Sequence, residues 1–317
     1  MRFERAEKFL LLLLGVMAAL GICIAVIKHI AIQYSDYLIY LCLASMFLMI
    51  GQFYRSYRNH QPIACASTAI AIFVLSGQIM RSFNYLLLPY QFASIDDALA
   101  GFDSLFGFVW SDFAVWMAGY PGMSGFLRTV YTSSYVQIVL LIFLLGLAGR
   151  SVAILKFSLA NIIGGLITIQ IWYLFPSSTP VAFQTVPSET ASILDLFLTA
   201  EYGQGLIRLG QRDLSLLVPS ELGGIVGFPS FHTVMAMVVV YFSRSIPFGI
   251  VPFAIWNALM VPAILLHGAH NLADVFGGMV VATLGIWMAN KITDHRKASE
   301  RSPQITTRKD AIGVGAA

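Results

Sequence analysis

Charged residues are what this sequence has least of. Lysine, arginine, aspartate and glutamate make up 11% of its 317 residues, while apolar side chains make up 58%. Soluble domains run near ~25% and ~45–50% respectively. With a mean hydropathy of +0.77, the composition excludes an ordinary soluble domain and indicates a polytopic membrane protein. Cysteine is scarce too: Cys23, Cys42 and Cys65 fall inside apolar runs, without the spacing of a metal site. No Gly-x-Ser-x-Gly elbow is present, which argues against a serine hydrolase. No His-Glu-x-x-His pair is present either. Lysine is absent between Lys156 and Lys291, so an anion site in that part of the chain would lean on arginines and helix N-termini.

What the chain has in quantity is apolar runs. A span needs about 20 mostly apolar residues, and eight can be read: 9–27, 36–54, 63–86, 130–148, 152–175, 230–247, 249–267 and 270–290. The first follows "MRFERAEK" like a signal peptide, but no small-x-small cleavage pattern precedes Lys28, so it is read as a span. After the third span, "YQFASIDDALAGFDSLFGFVWSDFAVWMAGYPGM" mixes aromatics and acids at helical spacing and predicts one or two interfacial helices. Its Asp96, Asp97, Asp103 and Asp112 read as a solvated face. The longest polar stretch, 176–228, carries one amphipathic segment near "SETASILDLFLTAEYGQGLIRLG".

The expected fold is all-α, a polytopic membrane helix bundle of about eight transmembrane helices plus interfacial helices. It divides into an N-terminal three-span segment (1–90), a second membrane unit (91–290) and a basic tail (291–317). The tail lacks apolar periodicity and is expected to be disordered and cytoplasmic. Basic residues set the orientation. With the N-terminus inside, 14 of the 19 fall on inner loops or termini, leaving Lys28, Arg81, Arg128, Arg208 and Arg212 outside. Both termini are therefore expected in the cytoplasm.

Two stretches put titratable rings at the edge of oily sequence: "GFPSFHTVMAMVVVYF" (227–242) and "HGAHNLADVFGGMVVATLGIWM" (267–288). His232 and His270 are 38 residues apart, close to one helical hairpin across a membrane at about 1.5 Å per residue. Both therefore sit at the outer ends of their spans. His270 and Asp274 are i and i+4, neighbours on one helix face, and a carboxylate beside an imidazole fixes its tautomer. Pro229 and Ser230 precede a helix whose free N–H groups and dipole suit an anion such as phosphate. Ionisable groups within spans are costly and usually functional.

Two rival readings bear on the same residues. His267, His270 and Asp274, at i, i+3 and i+7, could present ligands to zinc or iron, but that leaves His232 after Pro-Ser unexplained. A transporter or non-catalytic lipid-binding protein would place broken helices at mid-membrane, whereas this polar cluster falls at span ends. Gly164-Gly165 is a possible close-packing point in the fifth span. Nothing in the outward loops supports nucleic-acid binding, and the basic tail suits anionic membrane lipid.

"PSFH" (229–232) and "HNLADVFGG" (270–278) resemble the second and third signatures of the type 2 phosphatidic acid phosphatase superfamily. "GIVGFPSFHTVMAM" and, upstream, "SFNYLLLP" and "GYPGMSGFLRTVYTSSYVQ" are similar to a bacterial branch related to inositol phosphorylceramide synthases. The resemblance implies a metal-free enzyme without cofactor, a lipid phosphatase or phosphotransferase working on a lipid phosphate. It implies His270 as nucleophile through a phosphohistidine, Asp274 as its orienting carboxylate and His232 as acid–base. Ser230 would hold phosphoryl oxygens. Three family features are missing: the glycine at Phe231, the arginine at Ile264 and the lysine-bearing first signature. Arg208 and Arg212 are the expected substitutes, with Arg128 and Arg81 behind them. With the termini inside, the site faces the periplasm or exterior of a bacterial inner membrane.

Overall fold

The computed structural model describes residues 5–301, with side chains over 6–294. In chain order its helices are α1 (Arg5–Ile27), α2 (Leu38–Ser56), α3 (Gln61–Leu86), α4 (Asp96–Ser104), α5 (Trp110–Ala118), α6 (Pro121–Thr132) and α7 (Ser134–Leu147). There follow α8 (Ser151–Leu174), α9 (Ser188–Leu194), α10 (Ala200–Gly210), α11 (Phe231–Ser243), α12 (Ile250–Ala258), α13 (Met260–His267) and α14 (Leu272–Arg301). The only extended pairing among the described residues is a two-residue parallel bridge, β1 (Ala31–Ile32) to β2 (Leu216–Leu217). The fold is an all-α membrane bundle.

The expectation of a helical membrane bundle holds, and its count of about eight spans is refined. Among the described residues, six helices are long and apolar enough to cross: α1, α2, α3, α8, α12 with α13, and α14. The pair α6 and α7 passes the same test only when taken together, and it is bent by 51°, the shape of a broken span or a re-entrant loop. The bend falls at Ser133, where the Ser133 and Ser134 hydroxyls donate to the Val130 and Tyr131 carbonyls at 2.6 and 2.9 Å. Hydroxyls that take up carbonyls in this way bend helices. The eighth, α11, has only 13 residues, about 20 Å at 1.5 Å per residue. Pro247 disfavours helix at the residue before it, and Phe248 adopts a left-handed φ of 57°, so the chain turns early.

The interfacial reading of 91–120 resolves into α4 and α5, nine residues each. Trp110 drives this layer onto the bundle: it is buried, and its indole N–H donates to the Leu265 carbonyl at 2.8 Å. At the other end of the sequence, α14 continues through residue 301, past the point where the tail was expected to begin. Residues 302–317 of the expected basic tail lie outside the described residues.

Helix α8 is the hub. It packs against α3, α11 and α14, and Gly164-Gly165 is where neighbours come closest. A methyl on Gly164 would meet Val234 at 2.7 Å, and one on Gly165 would meet Met80 at 2.9 Å. Small residues let membrane helices approach where no hydrophobic effect drives them together. Charge marks the two ends of the bundle. At one end the buried pair Glu7 and Arg55 meets at 2.8 Å, and Lys156 reaches Asp294 at 2.9 Å. At the opposite end Lys28 donates to the Leu86 and Leu88 carbonyls, and Arg81 donates to that of Leu222. The latter end carries the site.

Candidate active site

The loop 227–230 and the start of α14 are built against each other. The Ser230 backbone N–H donates to the Asp274 carbonyl at 2.9 Å. That contact requires Gly277 and Gly278. A methyl on Gly278 would lie 2.5 Å from the Ser230 carbonyl oxygen, and one on Gly277 would lie 2.5 Å from the Phe228 ring. The two glycines of "HNLADVFGG" are thus the flat surface on which "GFPSF" rests.

His270 does not lie on α14, as the i, i+4 spacing suggested. It precedes the helix, in the turn 268–271, where Ala269 has a φ of 45°. Its Nδ1 is still 2.9 Å from Asp274 Oδ2. The same carboxylate oxygen accepts from the Asn271 backbone N–H at 2.9 Å. Asp274 therefore orients both the ring and the turn that presents it. His270 is 5% exposed and Asp274 0%, and Asp274 Oδ1 has no hydrogen-bond partner among the described residues.

Ser230 occupies the N-cap of α11, and Pro229 stands just outside it. A serine there normally accepts a hydrogen bond from the first turn. Ser230 makes none, and its hydroxyl is buried without a partner among the described residues. His232, half-buried in the first turn of α11, stacks on Tyr131 with ring centroids 4.3 Å apart and planes at 26°. Tyr131 also borders His270, because a methyl on Gly268 between them would lie 2.8 Å from the His270 ring and 3.0 Å from the Tyr131 ring. One tyrosine of α6 therefore touches the surroundings of both histidines, and spacing alone gave no hint of it. The only sequence signal was its place in "GYPGMSGFLRTVYTSSYVQ".

His267 is buried, and its Nε2 lies 2.9 Å from the Ser124 carbonyl. Because α13 ends at His267 and α14 starts at Leu272, the three-ligand helix face expected for a metal does not form. Among the described residues no group of three or more His, Cys, Asp or Glu side chains could hold a metal ion.

Asp103 was misjudged as a solvated residue. It is 4% exposed, and its carboxylate accepts from the Leu272 and Ala273 backbone N–H groups at 3.0 and 3.1 Å. Burial pushes its carboxyl above the ordinary range, while these two donors pull the other way. Asp103 thus caps α14 at Leu272 and Ala273, between the two members of the His270–Asp274 pair. Asp96 is also partly withdrawn, accepting from the Ser178 N–H at 2.8 Å, whereas Asp97 and Asp112 are exposed. Losing a helix cap costs about 0.5–2 kcal/mol. Asp103→Ala should therefore lower the melting temperature in detergent by a few degrees, with Asp103→Asn less harmed. An unchanged melt in both would contradict the capping role.

Arg208 sits near the end of α10 and Arg212 beyond it, so the two do not share a helix. Both are exposed, and among the described residues neither guanidinium has a hydrogen bond or ion pair. Arg128, on α6 one turn before Tyr131, is held differently. It pairs with Asp195 and lies 4.1 Å over the Phe197 ring. Phe197 in turn packs on Tyr131 and His267, at centroid distances of 6.1 and 5.8 Å. Arg128 is thus one aromatic ring removed from the histidine cluster.

A family profile described as the PAP2 superfamily matches residues 97–288, a stretch that contains every group just described except Asp96. The chain belongs to the PAP2 superfamily. No curated protein and no solved structure matches it significantly. PAP2 members are phosphatases or phosphotransferases, which supports such an activity on lipids in general. In this PAP2 chain the matched region begins at α4, so the Asp103 cap lies within it and α1–α3 lie outside.

Proposed function

We propose that the protein transfers or hydrolyses a phosphoryl group on a membrane lipid through a covalent phosphohistidine, at the outer membrane face. The observation that carries this is the buried His270–Asp274 contact beside a free Ser230 hydroxyl. With Nδ1–H donated to Asp274, the Nε2 lone pair of His270 is available to attack phosphorus. The N–P bond forms as the bond to the lipid oxygen breaks, and His232 gives that oxygen its proton. His232 then takes a proton from the incoming water or alcohol, which attacks phosphorus and releases His270.

The Ser230 hydroxyl and the N–H groups at the start of α11 suit the phosphoryl oxygens, where a helix N-terminus favours negative charge. Arg208 and Arg212 offer cations from the outer loop, and Arg128 offers a third from closer packing. A preorganised positive field at the developing charge is usually a large catalytic contribution. The missing first-signature lysine and third-signature arginine favour the branch similar to inositol phosphorylceramide synthases, in which a lipid alcohol takes the phospho-headgroup. The counted basic residues argue for cytoplasmic termini in a bacterial inner membrane, with the site outside.

The test is phosphate release by purified protein in detergent, with EDTA present, over a panel of lipid phosphates. Release that survives EDTA and is blocked by vanadate supports the reading. If no phosphate appears, the panel is repeated with lipid-alcohol acceptors and labelled headgroup. Failure of both arms would overturn the reading.

A further inference from the structure

Below the histidines, α11, α12–α13 and α14 border an open cleft of about 520 Å³, within the usual range for a ligand site of about 300–1,000 Å³. Its lining is almost wholly apolar and runs along α11 from Thr233 to Arg244. We propose that this cleft seats one long hydrocarbon chain of the lipid phosphate, an inference that rests on the phosphoryl-transfer reading above.

Three observations point to such an occupant. The first is continuity with the site. Thr233 is the residue after His232, and Met279 follows Gly278, which supports the Ser230 loop; both line the cleft. Thr233 is 3% exposed, and its hydroxyl has no hydrogen-bond partner among the described residues, so the upper end of the cleft carries an unpaired polar group next to His232. The second is length. From Thr233 to Arg244 is 11 residues along α11, about 16 Å at 1.5 Å per residue. A groove of that length with apolar walls suits an extended hydrocarbon chain leading away from a headgroup at His270.

The third is how the space is made. Ala236, Ala254 and Ala258 line it with methyl groups where larger residues would close it. The helix opposite α11 is also interrupted. Pro262 cannot donate to the Ala258 carbonyl, and α12 gives way to α13 at Leu259. Neither the small residues nor the break is needed for the histidine chemistry.

Binding and chemistry can be tested apart. Hexadecyl phosphate and butyl phosphate would be titrated against detergent-solubilised protein in the His270→Ala background, following thermal stabilisation, with and without Ala254→Trp. Hexadecyl phosphate should stabilise the parent and lose at least tenfold in apparent affinity in the Ala254→Trp protein, while butyl phosphate behaves alike in both. Equal affinity for hexadecyl phosphate in both proteins would overturn the proposal. So would an oligomeric state that changes with the tryptophan while binding persists, since the cleft would then be a helix-packing surface.

If Ala254→Trp does not fold, the wild-type protein is labelled with hexadecyl phosphate carrying a mid-chain diazirine. Adducts on α11, α12 or α14 peptides lining the cleft support the inference; adducts confined to α1–α3 end it. Wild-type protein that binds the long chain here yet turns over no lipid would remove the phosphoryl-transfer reading and leave the chain site standing.

Discussion

His270→Ala is expected to leave no measurable turnover of any lipid phosphate. If the ring is the nucleophile, its loss removes the covalent route itself, and no neighbouring group can take its place. His232 stacks face-on to Tyr131, and the remaining buried imidazole, His267, has its Nε2 against the Ser124 carbonyl. A ring acting only as a general base would leave more behind, because lost acid–base help costs about 10²–10⁴ in rate. The measurement is steady-state phosphate release together with acid-labile, alkali-stable label on the protein from radiolabelled substrate. Activity within tenfold of wild type, or label retained in the variant, would refute the nucleophile. Gel filtration and melting of the variant separate loss of chemistry from loss of fold.

The second large effect falls on His232. His232→Ala should lower the rate on lipid phosphates by about 10²–10⁴, and the loss should depend on the leaving group. An alkoxide leaving from a lipid needs a proton as the P–O bond breaks; a nitrophenolate does not. With p-nitrophenyl phosphate the first step should be nearly normal in the variant, and phosphoenzyme should accumulate, because deprotonating the incoming water still requires the ring. Equal losses with both substrates would count against acid–base work by His232 and for a structural role in its stack on Tyr131.

Much of the arrangement of this candidate site was legible in the sequence, and the reasons are specific. His232 and His270 come to one end because a hairpin of two apolar helices has a fixed length, so their separation of 38 residues carries geometric information. Asp274 pairs with His270 as the spacing suggested, but through a turn ahead of α14 instead of along its face. Three features escaped. Asp103 looked solvated because its neighbours Asp97 and Asp112 are exposed, and nothing local marks a carboxylate that caps a helix 169 residues later. Tyr131 is an apolar-looking ring in an apolar run, and only tertiary packing brings it to His232. The short α11 was read as a full span because hydropathy does not register where a proline stops a helix.

The Asp103 cap has a mechanical consequence. Its helix, α4, is followed by Leu105 and Phe106, which are 80% and 60% exposed. Phe106 stacks on Phe276 of α14, two residues beyond Asp274, with centroids 6.0 Å apart. A segment that presents oily side chains outward is therefore fastened twice to α14, by a carboxylate at its tip and by an aromatic ring on its flank. A push on these exposed side chains would reach the start of α14 through both fastenings, so on the proposed reading the aim of His270 would respond to what packs around α4 as well as to the bundle itself.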